Sequence, residues 1–148
     1  MNPVRTRHPK FRSGTRAGAT SRRIPRGAAS RRPAIVVPPG AEIGLEPGLI
    51  AGIVDKIVRR FKPVRIVLFG SRARGDAHAD SDIDLFLEME TPLDRFERSS
   101  AVSAIFHHRP WAMDIVVYTP RETKRALRNA GFLIDAIEGE GRTLYARG

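Results

Sequence analysis

The chain has 148 residues, which is the size of one domain, and it contains no cysteine, so disulfides and thiolate chemistry are excluded. Its formal net charge is +10, and the whole excess lies in the first 40 residues, which hold ten Lys or Arg and no acid, whereas the other 16 basic residues are matched by 16 acidic ones. This distribution argues against a uniformly basic nucleic-acid-binding domain, and no apolar stretch reaches the length of a membrane span.

Residues 1–40 are predicted to form a disordered basic tail, and residues 41–148 are predicted to form the folded domain. The first segment is rich in Arg, Gly, Pro, Ser and Ala, and it shows neither helical nor strand periodicity. It has too little apolar surface to offset the entropy of ordering. The residues leave open whether it binds nucleic acid nonspecifically, acts as a transit peptide or precedes the translated start. The expectation for the chain is a soluble, cytoplasmic protein without a membrane segment.

The first predicted elements are one helix and two strands. Residues 48–61 place their apolar side chains at helical spacing, which predicts an amphipathic helix that ends before Pro63. Residues 64–69 are rich in β-branched and apolar side chains, as expected of a short buried strand. Residues 82–88 alternate in the manner of a strand. One face of that strand carries Ile83, Leu85 and Leu87, and the other carries Asp82, Asp84 and Phe86.

The remaining elements predict the fold class. A second helix is predicted over residues 92–106, with Thr91 as its N-cap and Pro92 at its first position. The later predictions are a strand at 112–118, helices at 119–129 and 132–141, and a closing strand at 142–146. The order predicts an α/β (α+β) fold in which a small mixed β-sheet of three to four strands is flanked by helices.

Asp82 and Asp84 form a pair of carboxylates at the start of the second predicted strand. Side chains at i and i+2 of a strand point the same way, with Cα atoms about 6.5–7 Å apart, so the two charges repel each other. A divalent cation between them would offset the repulsion, and hard oxygen ligands suit Mg²⁺ or Mn²⁺. For an isolated Asp-x-Asp pair, a solvent-exposed acidic strand edge is the more common explanation.

Gly70 and Ser71 end the first predicted strand in a sharp turn. Glycine lets backbone amides approach a phosphate closely, and a serine hydroxyl can add a further donor. An ordinary β-turn explains the same two residues. The combination is more informative, because Asp114 places a third carboxylate inside an apolar strand, where an unpaired charge is costly. Three carboxylates and one phosphate-binding turn are the groups that enzymes of two-metal phosphoryl or nucleotidyl transfer use.

Together these residues resemble the signature of a known family. Phe69-Gly70-Ser71 is followed by ten residues and then by Asp82-Ile83-Asp84, and Asp114 lies on a later strand. The arrangement is similar to that of minimal nucleotidyltransferases of the DNA polymerase β-like superfamily. The stretch GSRARGDAHADSDIDL also resembles the usual sequence of that family around the motif. The resemblance spans residues 47–146 and implies a nucleotidyltransferase fold.

The resemblance implies that ATP is the substrate and assigns its phosphates to the turn. Gly70 and Ser71 would hold the β- and γ-phosphates. Arg72 is a candidate for neutralising the pyrophosphate that leaves, and Arg74 is open to the same role or to a structural ion pair.

The resemblance assigns the metals to the three aspartates. Asp82 and Asp84 would hold the ions that bridge the phosphates, and Asp114 would complete the second metal site and help to activate the acceptor hydroxyl. Two Mg²⁺ ions are expected, with Mn²⁺ as the alternative.

The same resemblance implies a protein partner. The chain ends soon after Asp114, and free-standing domains of this size resemble antitoxins that are paired with a small helical ribonuclease of the HEPN class. The implied reaction is transfer of AMP from ATP to a tyrosine of that toxin within a hetero-oligomer. The alternatives left open are an antitoxin that masks its partner without catalysis, and transfer to a small-molecule or nucleic-acid acceptor.

Overall fold

A four-stranded mixed sheet in the order β3-β2-β1-β4 lies at the centre of the fold. The structure is a computed structural model, and it describes residues 32–148. Residues 1–31 of the predicted tail lie outside the described residues. The elements, in chain order, are α1 Leu49–Phe61, β1 Arg65–Phe69, α2 Ser71–Arg74, β2 Ile83–Glu88, α3 Arg95–Ser103, β3 Met113–Tyr118, α4 Pro120–Arg128, α5 Phe132–Glu140 and β4 Arg142–Ala146.

Strand direction brings one end of β1, β2 and β3 to the same edge of the sheet. β1 is antiparallel to both β2 and β4, whereas β2 and β3 are parallel. Phe69, the last residue of β1, is therefore the register partner of Asp84 near the start of β2. Asp84 is in turn the register partner of Asp114 near the start of β3. We refer to this edge, where β1 ends and β2 and β3 begin, as the acidic edge.

The two faces of the sheet are covered by different helices, as the alternation in β2 predicts. One face packs its aliphatic side chains, such as Leu85, against the buried stripe of α1 that includes Ile53 and Ile57. On the other face, Phe86 packs with Ile134 and Ile137 of α5. The predicted α/β class, with a mixed sheet flanked by helices, is confirmed, and the sheet has four strands. Within residues 32–148, no helix has the length and apolar character needed to cross a membrane.

The start of α3 differs from its prediction. Asp94, not Thr91, is the N-cap, because its carboxylate accepts hydrogen bonds from the backbone N–H of Phe96 and Glu97 while Glu97 bonds back to the backbone N–H of Asp94. This reciprocal capping box satisfies more of the free donors of the first turn than a single threonine hydroxyl can. Thr91 instead accepts a hydrogen bond from Leu93 in the preceding turn.

Residues near the end of the predicted tail belong to the folded unit. Ile35 and Val37 are partly buried against the main core. Between them, the backbone N–H of Val36 donates to the carbonyl of Leu144 in β4 at 2.9 Å. A residue of the preceding segment also stabilises the start of α1, because the Glu42 carboxylate accepts hydrogen bonds from the backbone N–H groups of Gly48 and Ile50.

Candidate active site

Asp82, Asp84 and Asp114 lie together at the acidic edge. Asp84 and Asp114 are register partners on parallel strands, and Asp82 directly precedes β2. Because strand side chains alternate, Asp82 and Asp84 share the face that α5 covers farther along the sheet. Asp82 and Asp114 are exposed, whereas Asp84 is half-buried. The structure thus brings together the three carboxylates that were predicted to act together.

The ionised form of the Asp84 carboxyl is electrostatically unfavourable. Burial, together with the neighbouring carboxylates of Asp114 and Asp82, raises its pKa to about 6, and Arg74 and Arg72 oppose the increase. Desolvation and like charges both disfavour the ionised form of a carboxyl group. The acidic edge therefore concentrates negative charge that a cation would neutralise.

The acidic edge fits a divalent cation by its chemistry. Carboxylate oxygens are the donors that Mg²⁺ and Mn²⁺ prefer, and Mg²⁺ commonly takes only one or two carboxylates and fills its remaining positions with water and substrate phosphates. The repulsion around Asp84 is what such an ion would relieve. Within residues 32–148, no group of three His, Cys, Asp or Glu side chains is arranged to hold a metal ion by itself. The part of the chain that the structure describes thus offers a set of donors suited to a metal bound together with a nucleotide, and no closed metal cage.

Gly70 lies against the carboxylate of Asp84. A Cβ atom at Gly70 would lie 2.2 Å from Asp84 Oδ2, so no other residue fits here without displacing that side chain. The backbone of Gly70 has φ 70° and ψ −158°, a combination that is essentially restricted to glycine. The phosphate turn predicted from Gly70 and Ser71 therefore adjoins the acidic edge directly. The four-residue helix α2, where only a turn was predicted, begins at Ser71.

Arg72 does not face the acidic edge as a free cation. Its side chain is only 2% exposed. The guanidinium donates five hydrogen bonds of 2.8–3.4 Å to the backbone carbonyls of Ala41, Ile43, Ala79 and Ser81. An arginine side chain has five N–H donors, so none remains for a phosphate oxygen. This geometry argues against the predicted contact of Arg72 with the phosphates.

Arg74 is the accessible cation beside the phosphate turn. Its side chain is 43% exposed, and it forms two long ion pairs at the surface, with Asp76 at 3.4 Å and with Glu140 at 3.7 Å. Exposed ion pairs of this kind contribute little to stability, so they hold the side chain loosely. Arg74 also opposes the increase in the pKa of Asp84, as a nearby positive charge does. Of the two candidate arginines, Arg74 is the one that the structure leaves able to reach an anion.

A cavity of about 510 Å³ opens among the segments that lead into α1, β2 and β3. Its wall includes Ser81, which precedes Asp82, and Ala112, which lies two residues before Asp114. Ligand pockets usually measure about 300–1,000 Å³, so the space is sufficient for part of a nucleotide or for an acceptor side chain. The cavity was not predicted, because its walls come from three segments that are distant in sequence.

The sequence matches a known protein family. The family described as nucleotidyltransferase domain matches residues 50–144, a span that contains the glycine-serine turn and all three aspartates. The chain belongs to the nucleotidyltransferase domain family. The observed fold, a mixed sheet flanked by helices, agrees with that family. No curated protein sequence matches the chain.

Solved structures that resemble this nucleotidyltransferase domain include three with similar coverage. A presumed nucleotidyltransferase from Sulfolobus solfataricus is 24% identical, covers 67% of this chain and 78% of its own, and has a TM-score of 0.48. A toxin-antitoxin structure with AMP-PNP is 25% identical, with 66% and 74% coverage and a TM-score of 0.45. A mutant toxin-antitoxin structure, MntA-HpeT, is 23% identical, with 64% and 72% coverage and a TM-score of 0.41. The assignment to the family rests on the family match and on the site.

Proposed function

We propose that this chain is a metal-dependent nucleotidyltransferase that transfers AMP from ATP to a tyrosine hydroxyl of a HEPN-type toxin, and that it acts as the antitoxin in that pair. The observation that carries the proposal is the meeting of three aspartates with Gly70 at the acidic edge. The adenine base, the tyrosine and the toxin are supported by the resemblance of the glycine-serine and Asp-x-Asp motifs to minimal nucleotidyltransferases.

The turn that follows β1 binds the part of ATP that leaves. The backbone at Gly70 approaches the β- and γ-phosphates because it has no side chain, and the Ser71 hydroxyl donates to them. Arg74 is exposed beside this turn and neutralises the pyrophosphate as charge develops on it. The same residues orient the triphosphate so that its α-phosphorus faces the carboxylates.

The three aspartates act at the α-phosphate. Asp82 and Asp84 would hold the divalent cation together with the nucleotide, and Asp114 would complete a second metal site. A bound Mg²⁺ would polarise the phosphoryl oxygens and neutralise the charge of the triphosphate. The acceptor oxygen forms a bond to the α-phosphorus, the bond from that phosphorus to the bridging oxygen breaks, and pyrophosphate leaves. Asp114 accepts the proton of the acceptor hydroxyl.

The position of the label in ATP tests the reaction type. The full-length chain is incubated with Mg²⁺, a candidate HEPN partner and ATP labelled on the α-phosphate or on the γ-phosphate. The proposal expects label on the partner from the α-phosphate alone. Transfer from the γ-phosphate would instead identify a kinase and overturn the proposal.

Variants of the aspartates test the site in the same assay. Asp82→Asn, Asp84→Asn and Asp114→Asn are each expected to lower transfer at least about a hundredfold, because the metal loses a ligand. Asp135→Asn is the matched control, since Asp135 is an exposed aspartate of α5 that belongs neither to the acidic edge nor to the wall of the cavity. Transfer that survives in the first three variants, or that is lost equally in the control, would contradict the assignment.

A further inference from the structure

We infer that Arg72 is a positioning residue, whose buried guanidinium holds Asp82 in place relative to the Gly70-Ser71 turn. This inference rests on the proposed function, because the distance that it fixes is the one between the phosphate turn and a metal-binding carboxylate. Arg72 itself contacts neither the nucleotide nor the metal.

A direct connection between the turn and Asp82 runs through Arg72. Arg72 directly follows Ser71, and its Nε and Nη2 atoms both donate to the carbonyl of Ser81, at 3.0 and 2.8 Å. Ser81 directly precedes Asp82. Two donors on one carbonyl fix the direction of the peptide group as well as its distance, so a displaced Arg72 would move Asp82.

Arg72 also joins this loop to the turn before α1. Its Nη1 atom donates to the carbonyls of Ala41 at 2.8 Å and Ile43 at 2.9 Å. The two segments touch through their backbones at Gly44, which has φ +73°, because a Cβ atom there would lie 2.4 Å from the Cα atom of Ala79. The guanidinium therefore closes a layer of three segments that meet beneath the acidic edge.

The surroundings of Arg72 differ from those of an arginine that only stabilises the fold. Arg98 is also buried, but its charge is compensated by Glu122 at 2.6 Å. Arg72 is more deeply buried, and within residues 32–148 it forms no ion pair with any carboxylate. A buried charge that only carbonyls solvate is expensive to maintain. Arg72 lies in α2 next to the phosphate turn, and it is hydrogen-bonded to the peptide group that precedes Asp82. A positioning role accounts for the cost of burying its charge there.

Direct binding of Mn²⁺ together with a non-hydrolysable ATP analogue tests the inference without relying on turnover. Binding to the full-length chain is measured by the loss of the free Mn²⁺ electron paramagnetic resonance signal. Arg72→Lys keeps the positive charge but has three donors where arginine has five. Its affinity for Mn²⁺ and the analogue is expected to fall about 10–100-fold, as is usual when the support of a metal ligand is removed.

Arg98→Lys is the control, because it disturbs a buried arginine that lies away from the acidic edge. Both variants are expected to melt at a lower temperature, but Arg98→Lys should bind Mn²⁺ and the analogue within about twofold of the wild type. An equal loss of binding in both variants, or unchanged binding in Arg72→Lys, would overturn the positioning role. A wild-type chain that binds neither Mn²⁺ nor the analogue would overturn the proposed function first and this inference with it.

Two further measurements apply if Arg72→Lys does not fold. Gly44→Ala presses on Ala79 from the other side of the same layer and is expected to weaken Mn²⁺ binding while Arg72 stays in place. In the wild type, binding of Mn²⁺ and the analogue should slow hydrogen exchange at residues 41–45 as well as at 79–82, because Arg72 joins them. Protection confined to residues 79–82, or unaltered binding in Gly44→Ala, would overturn the inference.

Discussion

Asp84 lies half-buried between two other carboxylates, and this position determines how it affects stability. Burial, Asp114 and Asp82 together raise the pKa of its carboxyl to about 6, from 3.8 for an ordinary aspartate. The native state therefore holds this proton more tightly than the unfolded chain does. The resulting stabilisation is complete below pH 3.8 and is lost as the pH rises through about 6.

Asp84→Asn is accordingly expected to raise the melting temperature of the metal-free protein at pH 7–8 while it abolishes transfer. The amide mimics the protonated carboxyl, so the difference from the wild type should shrink as the pH falls from about 6 to below 4. Thermal unfolding followed by circular dichroism across this pH range measures the difference. A variant that is less stable than the wild type at pH 7–8 would show that Asp84 is not under repulsion.

Gly70→Ala tests the contact between the turn and the acidic edge. The φ and ψ angles of Gly70 belong to a region that costs other residues about 1–3 kcal/mol, and the added Cβ would collide with Asp84. We expect a loss of about that size in the free energy of unfolding, measured in urea, together with loss of transfer. Gly139→Ala in α5 is the control, since a Cβ there meets open space, and it should leave both quantities unchanged or add slightly to stability.

The residues of the site differ in how far the sequence predicts them. The shared face of Asp82 and Asp84 follows from the period of a strand, which is a local property. The role of Arg72 does not, because its partners include Ala41 and Ile43, which precede it by 31 and 29 residues. Whether a charged side chain points outward or is buried among carbonyls depends on such distant segments, and no local pattern records it.

Among the elements, those with strong periodicity were predicted and those defined by competing caps were not. α1 is an amphipathic helix ended by a proline, and its bounds of Leu49–Phe61 agree with the predicted 48–61 to within one residue. The start of α3 was misplaced because both Thr91 and Asp94 are acceptable N-caps, and the choice depends on the answering Glu97. The helix α2 has only four residues, which is too few to show periodicity.

Glu122 connects α3 to α4, and this connection can be tested. Its carboxylate accepts hydrogen bonds from the backbone of Thr119 at 2.8 Å and from Arg98 at 2.6 Å. Burial raises the pKa of Glu122, but these two partners outweigh it, and the net pKa lies below the ordinary value of 4.5. The stabilisation is therefore present above pH 4.5 and is lost as the pH falls through the lowered pKa.

Glu122→Gln is expected to lower the free energy of unfolding by about 1–2 kcal/mol at pH 7, because a charge-assisted bond becomes a neutral one. The deficit should narrow in acid, where the wild-type carboxyl becomes protonated. Denaturation in urea at pH 7 and at pH 3 measures it, with Glu90→Gln as an exposed control that should stay within about 0.5 kcal/mol. An equal deficit at both pH values would contradict the role of the ionised carboxylate.

At the scale of the whole molecule, the sequence predicts the class of the sheet but not its order. The strands are visible as short apolar runs, whereas the pairing of β2 with β3 in parallel and the placement of β4 beside β1 depend on contacts between distant segments. The acidic edge exists only because of that order, since it brings the starts of β2 and β3 to the end of β1.

The boundary of the folded unit gives a prediction about truncation. Removal of residues 1–31 should leave the melting temperature unchanged and should weaken salt-sensitive binding to nucleic acid, because nine of the ten Lys or Arg among residues 1–40 lie within residues 1–31. Removal of residues 1–40 should also cost about 1–3 kcal/mol of stability, since Ile35 and Val37 pack on the core. Equal stability of the two truncations would show that this packing contributes nothing.

The central claim is a covalent transfer to a partner, and the most direct measurement is the intact mass of that partner. A candidate HEPN toxin is incubated with the full-length chain, ATP and Mg²⁺ and is then separated from the chain. Its intact mass is measured by mass spectrometry, and its ribonuclease activity is assayed. The account predicts a mass increase of one AMP on a tyrosine, absent with Asp114→Asn, and a toxin that stays inactive after separation. A toxin that gains no mass and regains its activity once the chain is removed would contradict the account and identify the chain as a masking antitoxin.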